Sequence, residues 1–188
     1  MSLTAHAAQT ILVFGDSLSS GYGLAREQSW PALLEQRLQA SHLPYAVVNA
    51  SISGETTAGG LTRLPEALAV HKPAILVLAL GANDGLRGLP LAQMRANLSA
   101  MIRAAKQPGR KVLLIGMQLP PNFGPDYTAE FARSFKDVAR AQKVALLPFL
   151  LEPAAADPAA FQADNLHPVA EAEPKVLDHV WKALKPLL

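Results

Sequence analysis

The chain has 188 residues, of which 50% are hydrophobic and 17% charged, enough apolar material for one full core and too much for wholesale disorder. Cysteine is absent, which excludes a disulfide framework, a zinc–cysteine site, an iron–sulfur cluster and a cysteine nucleophile. Seventeen Lys and Arg against 15 Asp and Glu leave a net charge of +2, a weak field that gives no reason to expect nucleic acid.

The first residues carry no basic or apolar signal region, but Ala5-His6-Ala7 has the small-x-small form of a cleavage site. A removed export signal, with a periplasmic or secreted location, is one expectation. A frayed native N-terminus fits equally and leaves a cytoplasmic location open. In either case residues 1–9 are expected to stand outside the folded part of a single domain spanning 1–188.

Short β-rich runs then alternate with helical patterns. Thr10–Gly15 reads as a first strand. Ser29–Ser41 is a helix with Leu33, Leu34 and Leu38 at helical spacing. Tyr45–Ala50 is a second strand, and Gly60–His71 a helix on Leu61, Leu64 and Leu68. The third strand, Ala74–Leu80, is apolar on both faces, as a buried parallel strand should be. It is also the longest apolar run, far short of the roughly 20 residues of a membrane span. Leu91–Gln107 places Leu91, Met94, Leu98, Met101 and Ile102 on one helix face. Lys111–Met117 is a fourth strand, Tyr127–Gln142 a helix, Val144–Pro148 a fifth strand and Ala172–Lys185 a last helix. This alternation predicts an α/β fold of three layers, a five-stranded parallel sheet with helices on both faces. Ligands of such sheets bind beyond the carboxyl ends of the strands.

Four segments fall at that edge. They are Gly15-Asp16-Ser17-Leu18-Ser19-Ser20-Gly21 after strand one and Ser51-Ile52-Ser53-Gly54-Glu55 after strand two. Gly81-Ala82-Asn83-Asp84 follows strand three, and Asp164-Asn165-Leu166-His167 precedes the last helix. Acyl transfer to a serine needs a base, a partner that orients the base, and donors for the oxyanion. Ser17 at a strand-to-helix junction, His167, and Asp164 three residues earlier on a helical turn meet the first two needs. The N–H groups of Ser17 and Gly54 and the Asn83 amide are available for the third. Taken singly, each piece reads as a cap, a turn or a surface loop. His6, His42, His71 and His179 keep such readings, and Asp16 is read as a turn-former rather than a reacting group.

The four blocks in this order resemble the SGNH, or GDSL, hydrolases, whose Ser, Gly, Asn and His map to Ser17, Gly54, Asn83 and His167. The likeness runs from about Thr10 to Leu188 and implies the family's flavodoxin-like fold. Gly21-Tyr22-Gly23, Gly116–Asn122 and the C-terminal Val180–Leu187 resemble its bacterial branch of acyl-CoA thioesterases, lysophospholipases and arylesterases. Phe123 and Asn165 depart from that pattern, standing where Tyr and Gly are common. Asn tolerates a left-handed backbone, so the Asp164–His167 loop is expected to survive. The resemblance implies an acyl-enzyme route. Ser17 attacks, His167 is base then acid, Asp164 orients it, and Ser17, Gly54 and Asn83 hold the oxyanion, without metal or cofactor. The implied partners are small acyl esters and thioesters, lysophospholipids among them, with no obligate protein partner.

Leu86, Leu89 and Pro90 after Asn83, and Leu119, Pro120 and Phe123 after strand four, are expected to form an acyl-chain wall. Ten basic and three acidic residues lie between Arg87 and Lys143, and they are read as solvated helix faces. Rival readings are a flavodoxin-type phosphate or flavin binder on Ser17–Gly21, and a metal-dependent phosphotransfer domain on Asp16 and Asp84. Within the hydrolase reading, a carbohydrate or small-acetyl esterase is the alternative.

Overall fold

The structure is a computed structural model and describes residues 8–188. Five parallel strands, β1 (Gln9–Gly15), β2 (Tyr45–Asn49), β3 (Ile75–Ala79), β4 (Lys111–Ile115) and β5 (Ala145–Leu147), form one sheet in the order β2-β1-β3-β4-β5. The three-layer α/β expectation therefore holds. The first strand starts at Gln9, inside the segment expected to stand outside the fold, and Gln9 pairs with Tyr45. Residues 1–7, with the Ala5-His6-Ala7 pattern, lie outside the described residues.

Among the described residues, seven α-helices accompany the sheet: α1 (Ser17–Ser20), α2 (Trp30–Ala40), α3 (Thr57–His71), α4 (Ala82–Leu86), α5 (Leu91–Ala105), α6 (Pro125–Gln142) and α7 (Glu173–Leu184). The crossovers from β1 to β2 and from β2 to β3 run in opposite directions, and right-handedness then puts α2 and α3 on opposite faces. Packing agrees: α2 contacts α7, while α3 contacts α5 and α5 contacts α6. Both faces of the central strands are thus covered, and Ile11 through Phe14 and Leu76 through Leu78 are fully buried. One face is filled by Trp30, Leu34 and Leu38 with Val176, Val180 and Leu184; Phe131 and Phe135 meet edge-to-face, 5.2 Å apart, in α6.

The start of the second expected helix differs for a local reason. Helix α3 begins three residues before the hydrophobic pattern because the Thr56 hydroxyl accepts the Gly59 N–H and caps it there. Helices α1 and α4 are too short for a periodic pattern to reveal. Among the described residues, no helix is long and apolar enough to cross a membrane. The strand order reverses at β1, so β1 and β3 open a crevice at their carboxyl ends, with Gly15 level with Ala79.

One buried acid joins helices α2 and α7. Glu173 is 2% exposed, and its carboxylate accepts the Trp30 N–H at 2.5 Å. Burial pushes this carboxyl up to about 7, with the Trp30 bond opposing. The unfolded chain loses its Glu173 proton near 4.5, before the folded chain does. Stability from this group is therefore complete below pH 4.5 and is lost as pH rises through 7. Glu173→Gln keeps an acceptor for Trp30 without the charge. It is expected to raise the melting temperature at pH 8 relative to wild type, by on the order of 5 °C, and to leave pH 4 nearly unchanged. Melting curves across that range check it.

Candidate active site

The site is built where β1 and β3 end. A Cβ on Gly15 would lie 2.9 Å from Ser19 Oγ and 3.0 Å from the Ala79 carbonyl, so this turn closes tightly only on glycine. The Asp16 side chain turns back to accept the Leu18 N–H at 3.0 Å and caps α1. Burial pushes Asp16 up to about 7, the Leu18 bond and its own N–H opposing, with Asp84 and Glu55 adding repulsion. Asp16 is thus the turn-former the sequence suggests. Ser17 follows as the first residue of α1.

The loop after β2 carries Gly54 at φ +79°, a left-handed conformation that suits glycine. Three side chains hold this loop. Arg87 Nη2 donates to the Gly54 carbonyl at 2.9 Å, Asn83 Nδ2 donates to the Glu55 carbonyl at 3.1 Å, and the Ser20 and Ser53 hydroxyls pair at 2.9 Å. Asn83 itself sits in α4, which Asp84 locks in place. The Asp84 carboxylate accepts the Thr57 N–H at 2.8 Å and the Thr57 hydroxyl at 2.5 Å, both buried. Asn97 donates to the same hydroxyl at 3.0 Å.

Asp164 and His167 come together by a route other than the expected helical turn. They lie in a bent loop closed by an antiparallel bridge between Phe161 and Pro168. Asp164 Oδ1 accepts the N–H groups of Leu166 at 2.9 Å and His167 at 3.0 Å, which curls the chain back on the carboxylate. Asn165 takes φ +55°, the left-handed conformation expected of it. Asn165→Gly is therefore expected to keep activity and stability, whereas Asn165→Val should cost about 1–3 kcal/mol and lower activity with it. Chemical denaturation and rate measurements on the two variants check this.

Asp164 Oδ2 meets His167 Nδ1 at 2.6 Å, and His167 Nε2 meets Ser17 Oγ at 2.8 Å. Desolvation works to raise the Asp164 carboxyl, but the His167 N–H, the His167 ring and the Leu166 N–H outweigh it and hold it at about 2. An ionised carboxylate only accepts, so it keeps the proton on Nδ1 and leaves Nε2 free to accept from the Ser17 hydroxyl. That is the arrangement in which a serine can be deprotonated as it attacks.

Above these groups lies a cavity of about 170 Å³. Ser17, Gly54, Asn83 and His167 line it together, so all four sequence blocks converge. Leu86 also lines it, with Leu18, Tyr22, Ser53, Ala82 and Leu166. The other residues expected in an acyl wall stand elsewhere. Leu119 is buried toward Gly85 and Phe131, Phe123 packs on the core, and Leu89, Pro90 and Pro120 do not line the cavity. Tyr22 was visible only as part of a Gly-Tyr-Gly pattern; its ring rests on His167, a contact across the fold that spacing does not encode. A larger hollow of about 550 Å³ beside β2 contains neither Ser17 nor His167.

The profile of the GDSL-like Lipase/Acylhydrolase family matches residues 13–173. The chain belongs to this family. As a GDSL hydrolase it is 53% identical to Esterase TesA of Pseudomonas aeruginosa, covering 97% of this chain and 90% of that protein. It is 41% identical to an Arylesterase of Vibrio mimicus, over 98% and 92%. It is 39% identical to Thioesterase 1/protease 1/lysophospholipase L1 of Escherichia coli K12, over 100% and 89%. A crystal structure of TesA superposes with a TM-score of 0.93 at 52% identity, covering 96% of this chain and all of that one.

The rival readings lose their residues. Both Asp84 oxygens serve Thr57, Asp16 serves Leu18, and Ser20 in the supposed phosphate loop is paired with Ser53.

Proposed function

We propose that this GDSL hydrolase cleaves oxygen-ester and thioester bonds of acyl substrates through an acyl-enzyme on Ser17. The observation that carries the reading is the unbroken hydrogen-bond chain from Asp164 through His167 to Ser17, at 2.6 and 2.8 Å. As Ser17 Oγ attacks the acyl carbon, His167 Nε2 takes its proton, and Asp164 stabilises the imidazolium. The carbonyl oxygen becomes an oxyanion held by the Ser17 and Gly54 N–H groups and the Asn83 amide. His167 then protonates the leaving oxygen or sulfur. Water repeats the cycle on the acyl-enzyme. No step calls for a metal or cofactor. Thioesters, lysophospholipids and aryl esters are the substrate classes the relatives' names suggest. The reading treats 1–188 as one hydrolase domain, and family resemblance favours a periplasmic or secreted location, which cell fractionation tests.

Asn83→Ala is expected to lower kcat roughly a hundred- to a thousandfold. Part of the loss comes through Gly54, because Asn83 also holds the Glu55 carbonyl. A steady-state comparison with wild type measures it.

The cavity volume of about 170 Å³ favours a second reading, a carbohydrate or small-acetyl esterase, because whole-ligand pockets usually run to about 300–1,000 Å³. One experiment separates the two: initial rates on p-nitrophenyl esters from acetyl to palmitoyl, on acyl-CoA and on a lysophospholipid, with chelator present. Turnover of medium or long acyl groups supports the first reading. Turnover of acetyl esters alone supports the second, and turnover of none of these substrates sinks both.

A further inference from the structure

We propose that Tyr22 is the leaving-group subsite of this hydrolase, an aromatic face held beside His167 by Gln162 and suited to planar aryl alcohols. The proposal rests on the acyl-enzyme reading and deepens it.

The direction of the reaction fixes where the leaving group must go. In acylation the Ser17 Oγ–carbon bond forms and the carbon–oxygen bond to the alcohol breaks. The Ser17 proton passes to His167 Nε2 and from there to the departing oxygen, which leaves as the neutral aryl alcohol. That oxygen must come within hydrogen-bond reach of Nε2. The carbonyl oxygen points the other way, to Gly54 and Asn83. Whatever is attached to the departing oxygen therefore exits beside the imidazole.

The side chain against that imidazole is Tyr22. Its ring centroid lies 4.5 Å from that of His167, tilted by 37°. It lines the same cavity as Ser17, yet it is 52% exposed, so much of the residue is open to solvent. An open aromatic face takes another aromatic ring by offset or edge contact and gains less from a short alkyl group.

The backbone that carries the ring is held in place. Gly21 and Gly23 flank it with left-handed backbones at φ +78° and +74°. Gln162 Nε2 donates to the Tyr22 carbonyl at 2.8 Å and to the Pro168 carbonyl at 2.9 Å, and the Gln162 N–H donates to the His167 carbonyl at 2.8 Å. One residue thus ties Tyr22 to His167 and to the residue after it, so the platform and the general acid keep one geometry. Gln162 is a positioning residue in this scheme.

The test uses two esters with one acyl group, 2-naphthyl butyrate and ethyl butyrate, on wild type, Tyr22→Phe and Tyr22→Ala. Single-turnover deacylation of the butyryl-enzyme is measured alongside. Tyr22→Ala is expected to lower kcat/KM on the naphthyl ester about tenfold and on the ethyl ester less than about twofold. Tyr22→Phe should match wild type on both, and deacylation should be unchanged, because the aryl alcohol has already left. Equal losses on the two esters, no loss on either, or slowed deacylation in Tyr22→Ala overturns the proposal. Butyrate turnover that survives in Ser17→Ala identifies the other failure, that of the acyl-enzyme reading itself.

Discussion

Replacing Ser17 with alanine is expected to lower kcat by on the order of 10⁶ while leaving the fold intact. The magnitude follows from how nucleophile and base act. Without Oγ no covalent intermediate forms, and His167 Nε2 faces only solvent water across the cavity. Residues that work as one unit are non-additive, so His167→Ala should cost about as much, and the double variant little more than either alone. What remains is the contribution of the oxyanion donors, a residual rate above that of water. Ser17 packs no core, and α1 is capped by Asp16 rather than by Ser17, so melting temperature should barely move. Initial rates on p-nitrophenyl butyrate, with a melt of each variant, decide the point. A loss under about tenfold would mean that Ser17 is not the nucleophile.

That prediction was legible in the sequence, because Ser17, Gly54, Asn83 and His167 each follow or precede an element whose pattern is strong. Strands β1 and β3 are apolar on both faces, and alternation with helices leaves few topologies open. Once their carboxyl ends lie side by side, the segments after them must share an edge. What stayed hidden depends on contacts between distant side chains. The Asp164–His167 loop is shaped by backbone N–H groups curling onto a carboxylate, not by the helical turn that a three-residue spacing suggests. Leu119 and Phe123 are apolar and follow a strand, but nothing local distinguishes a residue packed toward the core from one lining a cavity. The Gln162 contact to Tyr22 spans 140 residues of sequence, beyond the reach of any periodicity.

Asp164→Asn is the second large effect, and it separates orientation from loop architecture. Asp164 does two jobs with two oxygens. Oδ1 holds the backbone turn through Leu166 and His167, and Oδ2 holds the imidazole at Nδ1. Asparagine keeps a carbonyl oxygen for the turn, so the loop should persist. Its amide then presents N–H donors to Nδ1, which already carries a hydrogen. The ring relieves that conflict by moving its proton to Nε2, and in that tautomer Nε2 cannot accept from Ser17. A loss of about 10⁴ in kcat is expected with little change in stability. Asp164→Ala removes the turn as well, so it should lose stability in addition to rate. The wild-type carboxyl, held at about 2 against an ordinary 3.8, gives the sign of the pH effect. Its contribution to stability is present above pH 3.8 and is lost as pH falls through 2. With the side chain 41% exposed, solvent screening keeps that contribution small. Asp164 therefore stays ionised across the neutral range, and its value to the enzyme lies in the tautomer it enforces. The measurement is kcat for both variants together with the imidazole N–H resonances. In wild type the hydrogen-bonded Nδ1 proton should appear far downfield, and in Asp164→Asn it should be gone. Its persistence alongside full activity would remove Asp164 from the mechanism.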